Sequence, residues 1–88
     1  MVINIKDLKN KIIYRANYRG TKEMDKLLGS FTKKYINQLN EEELSLLSDL
    51  IDYDDENIYK LNQGLQLTIK IKKNKITELF ENYRYTNE

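Results

Sequence analysis

The chain has no cysteine, no histidine, no proline and no tryptophan. Without cysteine there are no disulfides and no thiolate metal sites. Without histidine there is no His-based triad, no imidazole acid–base group and no histidine metal ligand. No apolar run is long enough to span a bilayer, so direct membrane insertion is not expected. The first residues lack the apolar stretch of a secretory signal, and their lysines are mixed with Asp7. That pattern predicts a cytoplasmic protein. No Gly-rich phosphate loop or dinucleotide fingerprint is present. An enzyme of this size with none of these groups would be unusual, so no catalytic residue is assigned.

What is present suits a small packed domain. Eighty-eight residues provide surface for one core and not two. With no staple available, packed helices must supply the stability. The formal net charge of +1 hides a segregation. Residues 1–38 carry nine basic and three acidic side chains, and residues 39–59 carry eight acids and no base. Residues 60–88 return to six basic and three acidic. Such a division either packs complementary faces together or presents a polar docking surface. The sequence leaves both open.

Apolar spacing predicts an all-α fold, a small single-domain bundle of about five short helices over residues 1–88. Ile5, Leu8, Ile12 and Ala16 predict helix one over about 5–19. Gly20 reads as its left-handed stop and Thr21 as the next N-cap. Met24, Leu27, Leu28, Phe31 and Tyr35 form a second stripe, with a break or kink expected at Gly29–Ser30. Asn40 followed by Glu41, Glu42 and Glu43 reads as a capping box. Leu44, Leu47, Leu50 and Ile51 then face a core. Asp52–Asp55 is a turn before a short helix at Ile58–Leu61, closed by Gly64. Leu65–Lys72 alternates with period two, but no second segment alternates to pair with it. Residues 65–75 are therefore expected to be an extended connector or irregular helix. Ile76, Leu79, Phe80 and Tyr83 mark the last helix.

The most informative stretch is Arg19-Gly20-Thr21-Lys22-Glu23-Met24-Asp25. Glycine admits φ > 0 and lets another backbone approach, and Arg19 and Glu23 place opposite charges around it. Upstream lies K-I-I-Y-R-A-N-Y. Downstream come an apolar helix, N-E-E-E-L-x-L-L-x-x-L-I, and D-D-E-N-I-Y. This order and spacing over residues 8–64 resembles the R-G-x-x-E corner and its surroundings in the SdhE-like family. Those bacterial and mitochondrial assembly factors promote covalent flavinylation of the succinate dehydrogenase flavoprotein subunit. The chain departs from the family at Asn17 and Tyr18, where basic residues are usual, and at Leu61, where tryptophan is common. The last 24 residues match poorly.

The resemblance implies a non-enzymatic assembly factor, or chaperone, of the bacterial cytoplasm. Its partner would be the flavoprotein subunit of succinate dehydrogenase or fumarate reductase, and it would be a monomer when free. FAD would belong to the partner, with no cofactor held stably by this chain and no metal. The implied partner-binding residues are Arg19, Gly20 and Glu23, with Arg15 and Asp25 beside them. As polar groups at a helix boundary, Arg19 and Glu23 are expected outside the chain's own core.

Other readings attach to the same residues. Arg15 and Arg19, four apart, suit either snorkelling at a core edge or forked recognition of carboxylates. Tyr14 and Tyr18 suit a helix edge, a protein interface or stacking on bases. The cluster Asp52, Asp54, Asp55 and Glu56 lacks the mid-loop glycine of a calcium loop, so helix capping is its expected role. A basic-faced nucleic-acid-binding module is one alternative function, weakened by the acidic segment close by. A generic interaction adaptor is another.

Overall fold

Five α-helices succeed one another in the computed structural model, which describes residues 4–84. They are α1 (Ile5–Asn17), α2 (Lys22–Tyr35), α3 (Glu41–Ile51), α4 (Asp55–Gln63) and α5 (Lys75–Glu81). A turn of 3-10 helix, Ile36–Gln38, extends α2. No strand occurs among the described residues, as the apolar spacing predicts. Nor is any of these helices long and apolar enough to cross a membrane.

Short polar residues start every helix. The side chains of Asn4, Thr21, Asn40, Asp54 and Asn74 each accept a backbone N–H from the first turn that follows. Such a cap satisfies a donor that has no partner within the helix and contributes about 1 kcal/mol. At Asn40 the box is reciprocal, since the Glu43 carboxylate accepts the Asn40 N–H at 2.9 Å. That bond, with Lys75 Nζ 3.2 Å away, holds the Glu43 carboxyl below the usual carboxylate range. The Lys75 pair also ties α5 to α3.

One apolar cluster draws on every helix. Ile12 and Ala16 of α1 meet Leu28 and Phe31 of α2, Leu44, Leu47, Leu50 and Ile51 of α3, Ile58 of α4, and Ile76 and Phe80 of α5. Each large aliphatic or aromatic side chain fully withdrawn from water contributes about 1.5–3 kcal/mol. Phe31 sits at an aromatic junction, with its ring centroid 5.0 Å from Phe80, 5.1 Å from Tyr35 and 5.3 Å from Tyr83. These aromatics are structural, as their spacing predicts.

Three boundaries differ from the sequence expectation. Helix α1 ends at Asn17, two residues early, because Tyr18 leaves helical geometry at φ −128°, ψ 71°. The Asn17 amide bonds back to the Ile13 carbonyl at 2.8 Å and closes the last turn. Gly20 is therefore not the helix terminator. Its φ of +114° lies beyond it, in a region that side chains other than hydrogen rarely enter. Helix α2 runs unbroken through Gly29, whose missing side chain instead admits the end of α1. A Cβ at this position would collide with Asn17 Oδ1.

Gly64 closes α4 as expected, at φ 71° and ψ 22°. Residues 65–74 are irregular and extended. The buried Asn57 holds this connector: its Oδ1 accepts the Thr68 N–H at 2.8 Å and its amide donates to Thr68 Oγ1 at 2.9 Å. Ile71 plugs into the core. Of the alternating apolar residues only Leu67 and Ile71 turn inward, while Leu65 and Ile69 are exposed, so the period-two pattern marks neither a paired strand nor a continuous inward side.

Candidate functional site

The corner between α1 and α2 is fixed from behind by Arg19. Its guanidinium turns inward and is only 12% exposed. Nε donates to Asp55 Oδ1 at 2.8 Å, Nη1 to the Ile51 carbonyl at 2.8 Å, and Nη2 to the Tyr53 carbonyl at 2.9 Å. The planar fork suits this triple duty, which a lysine ammonium could not reproduce. The Ile51 carbonyl is one of those that α3 leaves without an intrahelical partner. Arg19 therefore spans the α1–α2 corner, the end of α3 and the start of α4. The expectation that it lies outside the chain's own core is corrected on this geometry, since the guanidinium is largely buried and committed to in-chain partners.

Asp25 secures the corner from the other side. Its Oδ1 accepts the Arg19 backbone N–H across six residues. Thr21 Oγ1 accepts the Met24 N–H at 3.2 Å and starts α2. Gly20 is pushed outward between these two constraints. It is exposed, and nothing stands within 4 Å of where a Cβ would be. Glu23 is also exposed, in the first turn of α2, where the helix dipole favours a negative charge. It shares a shallow recess with Met24, Asp55, Glu56 and Tyr59.

Arg15 forms an ion pair with Asp52, both on the surface. The two arginines thus meet the Asp52–Asp55 turn of their own chain. Opposite charges segregated in the sequence are brought together here by folding. Asp54, between them, caps α4 and accepts the Asn57 side-chain amide on both carboxylate oxygens at 2.9 and 3.1 Å. Those side-chain bonds hold the Asp54 carboxyl below its ordinary range. Among the described residues, no group of three or more carboxylates is placed to hold a metal ion.

Around the corner the surface is aromatic. Tyr14 and Tyr18 are 66% and 71% exposed, with ring centroids 4.7 Å apart. Tyr59 is exposed beside Glu23. Sequence reasoning placed Tyr59 only as a marker of helix four. Its neighbours Glu56 and Lys60, which pair at 3.1 Å, mark the outward face of α4 and were the available signal. The assembled surface offers a positive-φ glycine, the Glu23 carboxylate, which has no ion pair among the described residues, and three tyrosines. It can be bound against, by a backbone at Gly20 and by donors at Glu23.

Comparison with known proteins identifies the family of the sequence that builds this corner. The family model Sdh5, flavinator of succinate dehydrogenase, matches residues 10–84. The match extends past residue 64, where the resemblance visible in the sequence fades. A mitochondrial succinate dehydrogenase assembly factor 2 of Scheffersomyces stipitis is 43% identical over 49 residues, 56% of this chain and 33% of the relative. Assembly factor 2-B of Drosophila mojavensis is 33% identical over 75 residues, 83% of this chain and 48% of the relative. The Saccharomyces cerevisiae factor is 41% identical over 49 residues, 56% of this chain and 30% of the relative. The chain spans about a third to a half of the length of these curated relatives. No solved structure matches. The relatives are mitochondrial proteins of eukaryotes, which overturns the expectation of a bacterial cytoplasmic location. A folded domain lacking cysteine and membrane spans has the same composition in either compartment, so the sequence carried no such information.

Proposed function

This chain belongs to the Sdh5 family, the flavinators of succinate dehydrogenase, and we propose that it binds the flavoprotein subunit of succinate dehydrogenase or fumarate reductase and promotes covalent attachment of FAD to it. The observation that carries this reading is the family match over residues 10–84, which includes a corner whose Gly20 and Glu23 face outward. The chain is not itself the catalyst. It has no histidine, so a histidine joined to the flavin must be the partner's. The flavin supplies the redox chemistry of attachment. What this chain contributes is selection of the partner conformation in which histidine and flavin are aligned.

Roles divide within the corner. Gly20 and Glu23 touch the partner. Arg19 and Asp25 shape the loop that presents them. Arg15 steadies the same region through Asp52. FAD remains with the partner, and the free chain is a monomer. The nucleic-acid reading is disfavoured because Arg15 and Arg19 are paired with in-chain carboxylates, which leaves fewer cations to neutralise phosphates.

Co-expression of the flavoprotein subunit with and without this chain tests the proposal. Flavin fluorescence of the denatured subunit on a gel should rise sharply when the chain is present, and the two proteins should co-purify. Equal fluorescence in both lanes, with no co-purification, would sink the reading.

A further inference from the structure

Two aromatic rings stand in water at the end of α1, although a tyrosine removes a large area from water when it is covered. Tyr14 and Tyr18 are 66% and 71% exposed. They lie four residues apart, so both fall on one stripe of the helix. Tyr18 is the residue at which the chain leaves helical geometry. Its ring still lies against that of Tyr14, with centroids 4.7 Å apart and planes tilted by 38°. Neither tyrosine belongs to the apolar cluster or to the partly buried residues packed around it. The aromatic junction at Phe31 includes neither of them.

Each ring already packs against the other, so ordering both on binding costs less side-chain entropy than ordering two free residues. Exposed tyrosines held in this way are the type of residue that anchors a protein interface. Tyr18 also stands two residues before Gly20, which keeps their Cα atoms within about 7 Å of each other. A partner backbone seated at Gly20 has the Tyr18 ring as its neighbour. The exposed Lys11 and Lys22 bracket the pair along the chain, which disfavours a cation over the ring faces. The chemistry left for two tilted ring faces is an apolar side chain, aliphatic or aromatic.

We propose that the Tyr14–Tyr18 pair is the apolar anchor of the surface that binds the flavoprotein subunit, and that it covers an apolar side chain of the subunit beside the segment seated at Gly20. The inference rests on the function proposed above and adds to it. Gly20 and Glu23 set the position by backbone approach and charge, and the tyrosines remove apolar area from water. Binding therefore has a component that salt does not screen.

The test uses the full chain and the purified flavoprotein subunit. Tyr14→Ala and Tyr18→Ala should each weaken binding by about ten-fold or more. Their melting temperatures should stay within about 5 °C of wild type, since both side chains are exposed. Neither should alter the salt dependence of the affinity, which Glu23→Gln should alter. Because the rings touch, the double alanine variant should lose less than the product of the two single losses. Tyr14→Phe/Tyr18→Phe should bind like wild type, since the ring faces make the contact. Wild-type affinity in both alanine variants, with Gly20→Arg unable to bind, would overturn the anchor and leave the corner standing. A wild-type chain that does not bind the subunit at all would remove both proposals. Binding lost only at temperatures where the alanine variants unfold would make the pair structural and overturn the inference. So would self-association of the free chain that Tyr18→Ala abolishes, or binding of a single-stranded oligonucleotide that the alanine variants lose while still binding the subunit.

Discussion

Replacing Arg19 with alanine should unfold the corner from behind. The substitution removes three hydrogen bonds, of 2.8, 2.8 and 2.9 Å, from a side chain only 12% exposed. Each charge-assisted bond is worth about 1.5–3 kcal/mol when its partner is left unsatisfied. The three are not additive. Asp55 is 30% exposed, so water will solvate much of its lost charge. The Ile51 and Tyr53 carbonyls, at a turn, can also find water in part. A net loss of about 2–3 kcal/mol is expected, a large fraction of the stability of a small domain. At about 4–8 °C per kcal/mol for this size, the midpoint should fall by roughly 10–20 °C. Arg19→Lys keeps the charge but loses the fork, and should recover less than half of this. Circular dichroism during thermal unfolding reads both directly. Flavin attachment measured well below the new midpoint then separates lost fold from lost contact. An Arg19→Ala midpoint within about 2 °C of wild type would refute the structural role assigned to this side chain.

Three further outcomes follow from the same geometry. Glu23→Ala should change stability by no more than about 0.5 kcal/mol, since the carboxylate is exposed and has no ion pair among the described residues, yet it should reduce co-purification of the flavoprotein subunit. Gly20→Arg should fold with a lowered melting temperature, because φ +114° strains any side chain, and should fail to support flavin attachment on a gel; full attachment by a folded variant would remove the corner from the binding surface. Acid should also weaken the fold. Glu43 and Asp54 have carboxyls depressed in the native state, so their contribution is present above the unfolded-state range and is lost as pH falls through and below about 4.5. Asp54→Asn should make the melting temperature less sensitive to pH in that window, and an unaltered pH profile would count against the capping role.

Local signals in the sequence were strong where one residue does one job. Asn40 with Glu43, Thr21 and Gly64 sit at helix ends as their chemistry dictates. The apolar spacings of α2, α3 and α5 mark sides that are in fact buried. What the sequence hid depends on residues far apart in the chain. Arg19 and Asp55 are 36 positions apart, and nothing local reveals that an arginine at an apparently exposed corner is committed inward. Gly29 looks like a helix breaker until the end of α1 is seen lying over it. The alternation at 65–72 resembles a strand, yet the inward contacts at Leu67, Thr68 and Ile71 do not share one parity, and the anchor at Asn57 lies eleven positions back. Gly20 and Glu23 were legible as a corner, but the aromatic surround at Tyr59 depends on how α4 is turned.

Side chains grip backbone carbonyls where α4 meets the last described residues. Asn62, buried, donates to the backbone carbonyls of Phe80 and Tyr83, both at 2.9 Å. Arg84 Nη1 returns a bond to the Asn62 carbonyl at 3.0 Å and the Tyr83 hydroxyl donates to Ser30 Oγ at 2.8 Å, so this end is held by named side chains as well as by the Lys75 pair and an apolar inner face. Glu78, exposed on α5, makes no side-chain bond among the described residues and can be changed without loosening that grip. For anyone who wishes to watch this chain meet a partner, that position is where a fluorophore or cross-linker can ride without entering the corner.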